Sequence, residues 1–437
     1  MKPKKKLILQ LVLLLFTVSM AILIIQKTSI KATGIIENSS QKTINEGTSG
    51  DLTYQHLVKT YTPGDAANFI KQAGKGTTAE SAKWSEDQLG SPKYSVDAYI
   101  IEYISIDHNG NKIPVSGVVL IPQKANSMPI LVYQYATILE NSKSPSESIT
   151  SASGQSNTLL GSFACDGYIV AMSDFVGTGQ PNCLKYPSEY LYAKSEAANG
   201  VDMLTATKQL LEKLKVTTNG QLFLSGYSEG GQAVSALANL IQSDYPQYPV
   251  TAAVFMEGPY NMSAVMNNLL ETPGGVILDG AAVGSLICAK AIYAYQNIYN
   301  WGTIESIFNE PYATRVQNDF SKPNTSMIKL AMDFPKDTDK MFNASFLDSA
   351  KTGTASTDIA ANNTDNWVPK MPVTFLTSTA DTLIPGSVTQ ATYEKMLSNG
   401  GNVSMGTTQF PLNHLQNYFQ AIVQSKGIFD GYLITVP

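Results

Sequence analysis

Apolar residues recur along this chain in two alternating rhythms. Short, nearly continuous apolar runs at 129–133, 168–172, 221–225 and 250–256 have the length and density of strands buried on both faces. Longer stretches between them carry helical spacing. Ala233, Ala236, Leu237, Leu240 and Ile241 fall on one face of a helix, and further helices are expected near 155–165 and 189–214. After 368 the rhythm continues with strands at 372–377 and 403–409 and helices at 387–398 and 414–425. From about 95, Tyr99, Ile101, Tyr103, Ile104 and Ile106 lead into Asp107-His108-Asn109-Gly110, and 115–121 resumes as a second strand. An Asn-Gly turn between two such runs predicts a β-hairpin. Strands alternating with helices predict an α/β protein with a parallel sheet and crossover connections.

Between about 258 and 367 the alternation stops. Helix-like segments at 261–271, 276–300 and 302–309 are interrupted by Pro and Gly, which predicts a helical insertion. It reads either as a cap over the functional edge of the sheet or as a helical layer without a binding role. Residues 33–51 have the composition of a linker, and 62–90 are weakly helical. Lys2, Lys4, Lys5 and Lys6 precede an apolar run at 7–25, and Lys27 and Lys31 follow it. This pattern fits a secretory signal or an uncleaved membrane anchor, and either leaves the body outside the cytoplasm. The expected organisation is a targeting segment (1–32), a linker and N-terminal extension (33–94), a first core part (95–257), the insertion (258–367) and a second core part (368–437).

At 437 residues, 43% hydrophobic and 15% charged, the chain can bury a large core. Residues 1–32 hold six of the 30 Lys and Arg and none of the 35 Asp and Glu, which leaves the body at −11. Arg315 is its sole Arg. An acidic body with one guanidinium lacks a phosphate-binding footprint, so no nucleic-acid partner is expected. Cys165, Cys183 and Cys288 form no Cys/His cluster of zinc spacing. They read as buried apolar thiols, with a Cys165–Cys183 disulfide as the alternative.

The candidate chemistry centres on Gly226-Tyr227-Ser228-Glu229-Gly230, followed by Gly231. It stands between a strand-like run and a helical one, the setting of a nucleophile elbow, where a sharp turn exposes a Ser hydroxyl. Such a Ser needs a base, and the base needs an orienting acid. Of His56, His108 and His414, only His414 follows the elbow, just beyond the last strand. Asp381 follows the strand before it and is the expected acid, with Asp365 as runner-up. The oxyanion hole is expected to use the backbone N–H of Glu229 and one from the loop after the first buried strand, Ala136 ahead of Thr137. Ile292, Tyr293, Tyr295, Tyr299, Trp301 and Phe308 in the insertion read either as an acyl-binding wall or as packing.

Four stretches together resemble successive landmarks of the secretory lipase branch of the α/β-hydrolases. They are Ile130-Leu131-Val132-Tyr133-Gln134-Tyr135-Ala136-Thr137, Ser173-Asp174-Phe175-Val176-Gly177-Thr178-Gly179, Gly226 to Gly231, and Ala380-Asp381-Thr382-Leu383-Ile384-Pro385. The resemblance spans roughly 95–430. It implies a mostly parallel sheet with helices on both faces, a largely helical cap, and a serine esterase or lipase acting on small-molecule or lipid esters. Ser228, Asp381 and His414 fall on matching motifs, and no metal or organic cofactor is implied. Relatives often carry His-Gly-Thr at Tyr135-Ala136-Thr137 and Gln at Glu229. A serine peptidase of the prolyl-oligopeptidase kind fits less well, because about 95 residues before the first hairpin leave no room for a propeller. A catalytically inactive surface binding module would leave the three filled catalytic positions without a purpose.

Overall fold

The computed structural model describes residues 47–124, 127–272, 274–278, 281–321, 330 and 333–434. The expected targeting segment and most of the linker lie outside the described residues. Among the described residues, no helix is long and apolar enough to cross a membrane.

The strands are β1 (Leu52–Tyr61), β2 (Val96–Ile106), β3 (Lys112–Pro122), β4 (Met128–Gln134), β5 (Ile169–Ser173), β6 (Thr218–Tyr227), β7 (Ala252–Met256), β8 (Val373–Thr377) and β9 (Val403–Thr407). They form one sheet in the order β1-β2-β3-β5-β4-β6-β7-β8-β9. The pairs from β5 through β9 are parallel, while β1, β2 and β3 join antiparallel. The expected hairpin is β2–β3, with Ile106 opposite Lys112 and the turn closed by Gly110 N–H donating to Asp107 O at 2.9 Å.

The longer helices are α1 (Pro63–Gly74), α2 (Ala79–Leu89), α3 (Gln155–Ser162), α4 (Ala193–Leu214), α5 (Glu229–Asp244), α6 (Met262–Glu271), α7 (Val283–Tyr299), α8 (Tyr312–Phe320), α9 (Ala344–Thr352), α10 (Thr354–Ala360), α11 (Gly386–Ser398) and α12 (Tyr418–Asp430). Because successive strand residues point to opposite faces, each parallel strand feeds two cores. Val132, Leu224, Phe255 and Phe375 pack on one face with Val201 and Leu204 of α4 and Val234 and Leu237 of α5. Leu131, Phe223, Val254 and Leu376 pack on the other with Ala66 and Phe69 of α1, Leu159 of α3 and Ile422 and Phe429 of α12. Full burial of each large side chain contributes roughly 1.5–3 kcal/mol, which is why these runs are apolar throughout.

Helices α6 to α10 lie between β7 and β8 and build a separate core of Met266, Leu269, Ile292, Tyr295, Phe308 and Phe342. Leu383, Ile384 and Val388, which follow β8, join that core.

One expectation needs correction. The stretch 52–61, left outside the sheet by its sequence, is its edge strand β1. Its pairing with β2 shifts register twice, and most of its side chains are partly or fully exposed. An edge strand that alternates imperfectly carries a weak periodicity signal. The cysteines follow their leading reading: all three are free and buried, and the alternative Cys165–Cys183 disulfide is not formed. Burial pushes the Cys165 and Cys183 thiols up to about 12, so they remain protonated and unreactive.

Candidate active site

Ser228 stands between the end of β6 and the start of α5, with φ +58° and ψ −121°. A side-chain-bearing residue at positive φ is strained by roughly 1–3 kcal/mol and persists only where its surroundings hold it. Here the holding groups are visible. Ser228 N–H donates to Met256 O of the neighbouring strand at 2.9 Å. The flanking glycines let the turn close. A Cβ on Gly226 would lie 2.0 Å from Gly230 O, and one on Gly230 would lie 1.9 Å from Gln134 O.

The structure brings the three distant candidates together. Ser228 Oγ and His414 Nε2 are 2.7 Å apart, and His414 Nδ1 and Asp381 Oδ2 are 2.5 Å apart. A carboxylate only accepts, so Nδ1 carries the proton and Nε2 is left to accept from the Ser hydroxyl. Asp381 Oδ1 accepts from Leu383 N at 2.8 Å and Ile384 N at 3.0 Å, which fixes the rotation of its carboxylate. Burial alone would raise the Asp381 carboxyl, but the charge and hydrogen bond of His414 bring it below the usual carboxylate range. The loops carrying the acid and the base are tied to each other. Ser378 Oγ donates to Leu412 O at 2.6 Å, and Tyr227 OH donates to His414 O at 2.6 Å. Asp365 stands elsewhere, bonded to Lys395 and Asn261. His56 lies in β1, and His108 Nδ1 is bound to Glu189 at 2.8 Å.

The loop after β4 is anchored by Tyr135, whose hydroxyl donates to Asp174 O at 2.6 Å and whose ring stacks on Phe175. Ala136, the residue expected to give the second oxyanion donor, is engaged by a side chain. Its N–H donates to Gln155 Oε1 at 2.7 Å, and Gln155 Nε2 donates back to Ala136 O at 2.8 Å. The Ala136 N–H thus already has an acceptor. Gln155 was not legible as a site residue, since nothing local marks a glutamine on α3 as the clamp of a loop 19 residues earlier.

A cavity of about 230 Å³ opens beside Ser228 and His414, walled by Val283, Leu286 and Ile287 of α7, with Leu383 and Tyr418. Of the six insertion residues read either as an acyl-binding wall or as packing, none lines this cavity. Ile292, Tyr295 and Phe308 are buried in the insertion's own core, while Tyr293 lines a neighbouring cavity of about 290 Å³. Helix α7 does supply the wall, but from its first turns.

The family profile of secretory lipases matches residues 142–422, which is more than half of the sequence. The chain belongs to the secretory lipase family. It is therefore a carboxylic ester hydrolase. Among solved structures, it is similar to the rice cell wall degrading esterase LipA from Xanthomonas oryzae, at 23% identity and a TM-score of 0.75 over 89% of this chain and 100% of that one. It is also similar to Candida antarctica lipase A, at 17% identity and a TM-score of 0.64 over 90% of this chain and 85% of that one. At these identities the likeness is one of fold. No curated protein matches by sequence.

In this secretory lipase the carboxyl of Glu229 faces Thr137, Glu196 and Lys290. Glu229 and Glu196 are both raised, first by burial, and each senses the other. Oε2 of each finds no N–H or O–H donor among the described residues. Two buried carboxyls in that position share a proton. Lys290 Nζ donates to Ile138 O at 2.8 Å and sits 4.0 Å over the Tyr190 ring. The native pair keeps a proton that the unfolded chain releases above about pH 4.3. The native state then binds more protons, so its stability falls as pH rises through that range. Glu229→Gln should raise Tm by a few degrees at pH 8 and leave it nearly unchanged at pH 5. Equal shifts in calorimetric melts at the two pH values would refute the shared proton.

Proposed function

We propose that this protein hydrolyses carboxylic esters outside the cytoplasm through a Ser228–His414–Asp381 triad and an acyl-enzyme intermediate. The observation that carries the reading is the unbroken chain of short hydrogen bonds from Ser228 Oγ through both ring nitrogens of His414 to Asp381. Ser228 Oγ attacks the ester carbonyl while His414 Nε2 takes its proton. The developing imidazolium is stabilised by Asp381, which also keeps the ring in the accepting tautomer. His414 then returns the proton to the leaving alcohol. A water, deprotonated by the same nitrogen, releases the acid.

Glu229 N–H, at the start of α5, has no helical acceptor and is one donor to the oxyanion. With Ala136 committed to Gln155, Thr137 supplies the second, on a loop pinned by the 2.8 Å contact between Thr137 Oγ1 and Tyr190 OH. The apolar walls from α7 suit an aliphatic acyl group, and residues 258–367 act as the cap that roofs it. Membership of a secretory family and the lysine-flanked apolar run at 7–25 support export.

A fluorophosphonate tests the reading, because an activated serine attacks its phosphorus, expels fluoride and is phosphonylated. The expected result is one adduct, on the peptide containing Ser228, with parallel loss of p-nitrophenyl butyrate hydrolysis. Full activity in protein labelled at Ser228, or labelling confined to another residue, would overturn it.

A further inference from the structure

Glu257 follows β7 directly, on the same sheet edge as Ser228 and Asp381 and on the strand between theirs. It is fully buried and held at φ +50°, a conformation that costs a side-chain-bearing residue energy. Such strain is tolerated where surrounding bonds over-determine the residue, and here they do. The backbone N–H of Ser378 donates to Glu257 Oε1, Asn417 Nδ2 donates to the same oxygen at 2.7 Å, and Thr377 Oγ1 donates to Oε2 at 3.3 Å. These partners come from β8, the loop that carries Asp381, and the residue before α12. One oxygen of Glu257, one of Asp381 and a ring nitrogen of His414 all lie within 4.8 Å of one another.

We propose that Glu257 is a positioning residue for the hydrolysis, holding Asp381, and through it His414, in register with Ser228. The proposal rests on the triad reading above. Two carboxyls so close and so buried do not both ionise. Burial first, and then the charge of Asp381, hold Glu257 well above the usual carboxylate range, whereas Asp381 is held below it. Glu257 is therefore the neutral partner, and its O–H donates to the Asp381 carboxylate. That bond completes the set around the acid, with Leu383 N–H and Ile384 N–H on Oδ1 and His414 Nδ1–H on Oδ2. Without it, Asp381 keeps its backbone anchors but loses the contact from the adjacent strand.

The other titratable groups facing Glu257 are His414, Tyr227 of β6 and Tyr260 of the following loop. Burial keeps both phenols neutral. The proton most readily lost as pH rises is thus that of Glu257 itself, and its loss would place a second anion beside Asp381 and end the bond.

Glu257→Gln retains a neutral donor and an acceptor without a titratable proton, while Glu257→Leu removes both. Rates on p-nitrophenyl butyrate should be expressed per Ser228 titrated by fluorophosphonate. Glu257→Gln should keep kcat within about threefold at pH 7, with its alkaline limb displaced to higher pH. Glu257→Leu should lose about 10- to 100-fold in kcat with KM within twofold, the scale of a hydrogen bond to a charged group. A purely structural role would lower Tm and the titrated fraction but leave kcat per site and the pH profile unmoved. Wild-type kcat per site in Glu257→Leu, or superimposed alkaline limbs for Glu257→Gln and wild type, would overturn the proposal. If Glu257→Leu does not fold, the Glu257→Gln profile decides alone. Failure of wild-type protein to label at Ser228 would instead overturn the triad reading, and this proposal with it.

Discussion

Ser228→Ala should lower kcat on p-nitrophenyl butyrate by on the order of 10⁶-fold, with KM changed only a few-fold. The size follows from what the hydroxyl does. Its removal deletes the covalent route and leaves direct attack by water, helped only by the oxyanion donors and by binding. The binding walls are Val283, Leu286, Ile287, Leu383 and Tyr418, none of which contacts the substrate through Ser228. His414→Ala should cost a similar factor, and the double variant little more than either alone, because residues that act as one unit are not additive. Far-UV circular dichroism should report an unchanged fold for Ser228→Ala, since its backbone hydrogen bond to Met256 O survives. Retention of more than about one part in a thousand of wild-type kcat, in protein free of contaminating esterase, would exclude Ser228 as nucleophile.

How far the sequence revealed this site depends on the range over which each signal acts. Gly226, Ser228 and Gly230 were legible because the elbow is a local object: strand, tight turn and helix within a few residues of each other. His414 and Asp381 were legible because parallel strands deliver their trailing loops to one edge, so position after a strand nearly determines position at the site. The central strands were legible because burial on both faces leaves no polar alternation to misread. Strand β1 was obscured by its edge position and its register shifts. Gln155 was hidden because its partner, Ala136, is met only after folding, and a backbone clamp places little demand on sequence. Glu257 carries a signal of a different kind. A carboxylate directly after a buried strand, on the edge that holds Ser228, is a poor solvated turn residue and a good inward-facing one. The insertion was legible as helical but not residue by residue. Its helices are apolar on more than one side, so sequence alone does not tell which side of α7 meets the cavity and which meets α6 and α8.

Asp381→Asn should lower kcat by about 10⁴-fold while leaving the protein folded. The magnitude rests on which atom of the new side chain faces His414. In the wild-type protein, Oδ1 accepts two backbone N–H groups, from Leu383 and Ile384, and Oδ2 accepts from His414 Nδ1. An asparagine has one oxygen, and the two backbone donors claim it. Its NH₂ is thereby turned toward Nδ1, which must now accept. The imidazole proton moves to Nε2, where it points at Ser228 Oγ and blocks the transfer that starts the reaction. The loss is therefore one of tautomer as well as of charge, and it should appear in kcat with little change in KM. Nitrogen-15 NMR of the His414 ring gives an independent check, with the proton on Nδ1 in wild type and on Nε2 in the variant. Activity within tenfold of wild type would remove Asp381 from the triad. Asp365 would then be a poor replacement, because its oxygens are already taken by Lys395 and Asn261. Glu257 is the other carboxyl within 4.8 Å of the same imidazole, but its oxygens are held by Asn417, Ser378 and Thr377.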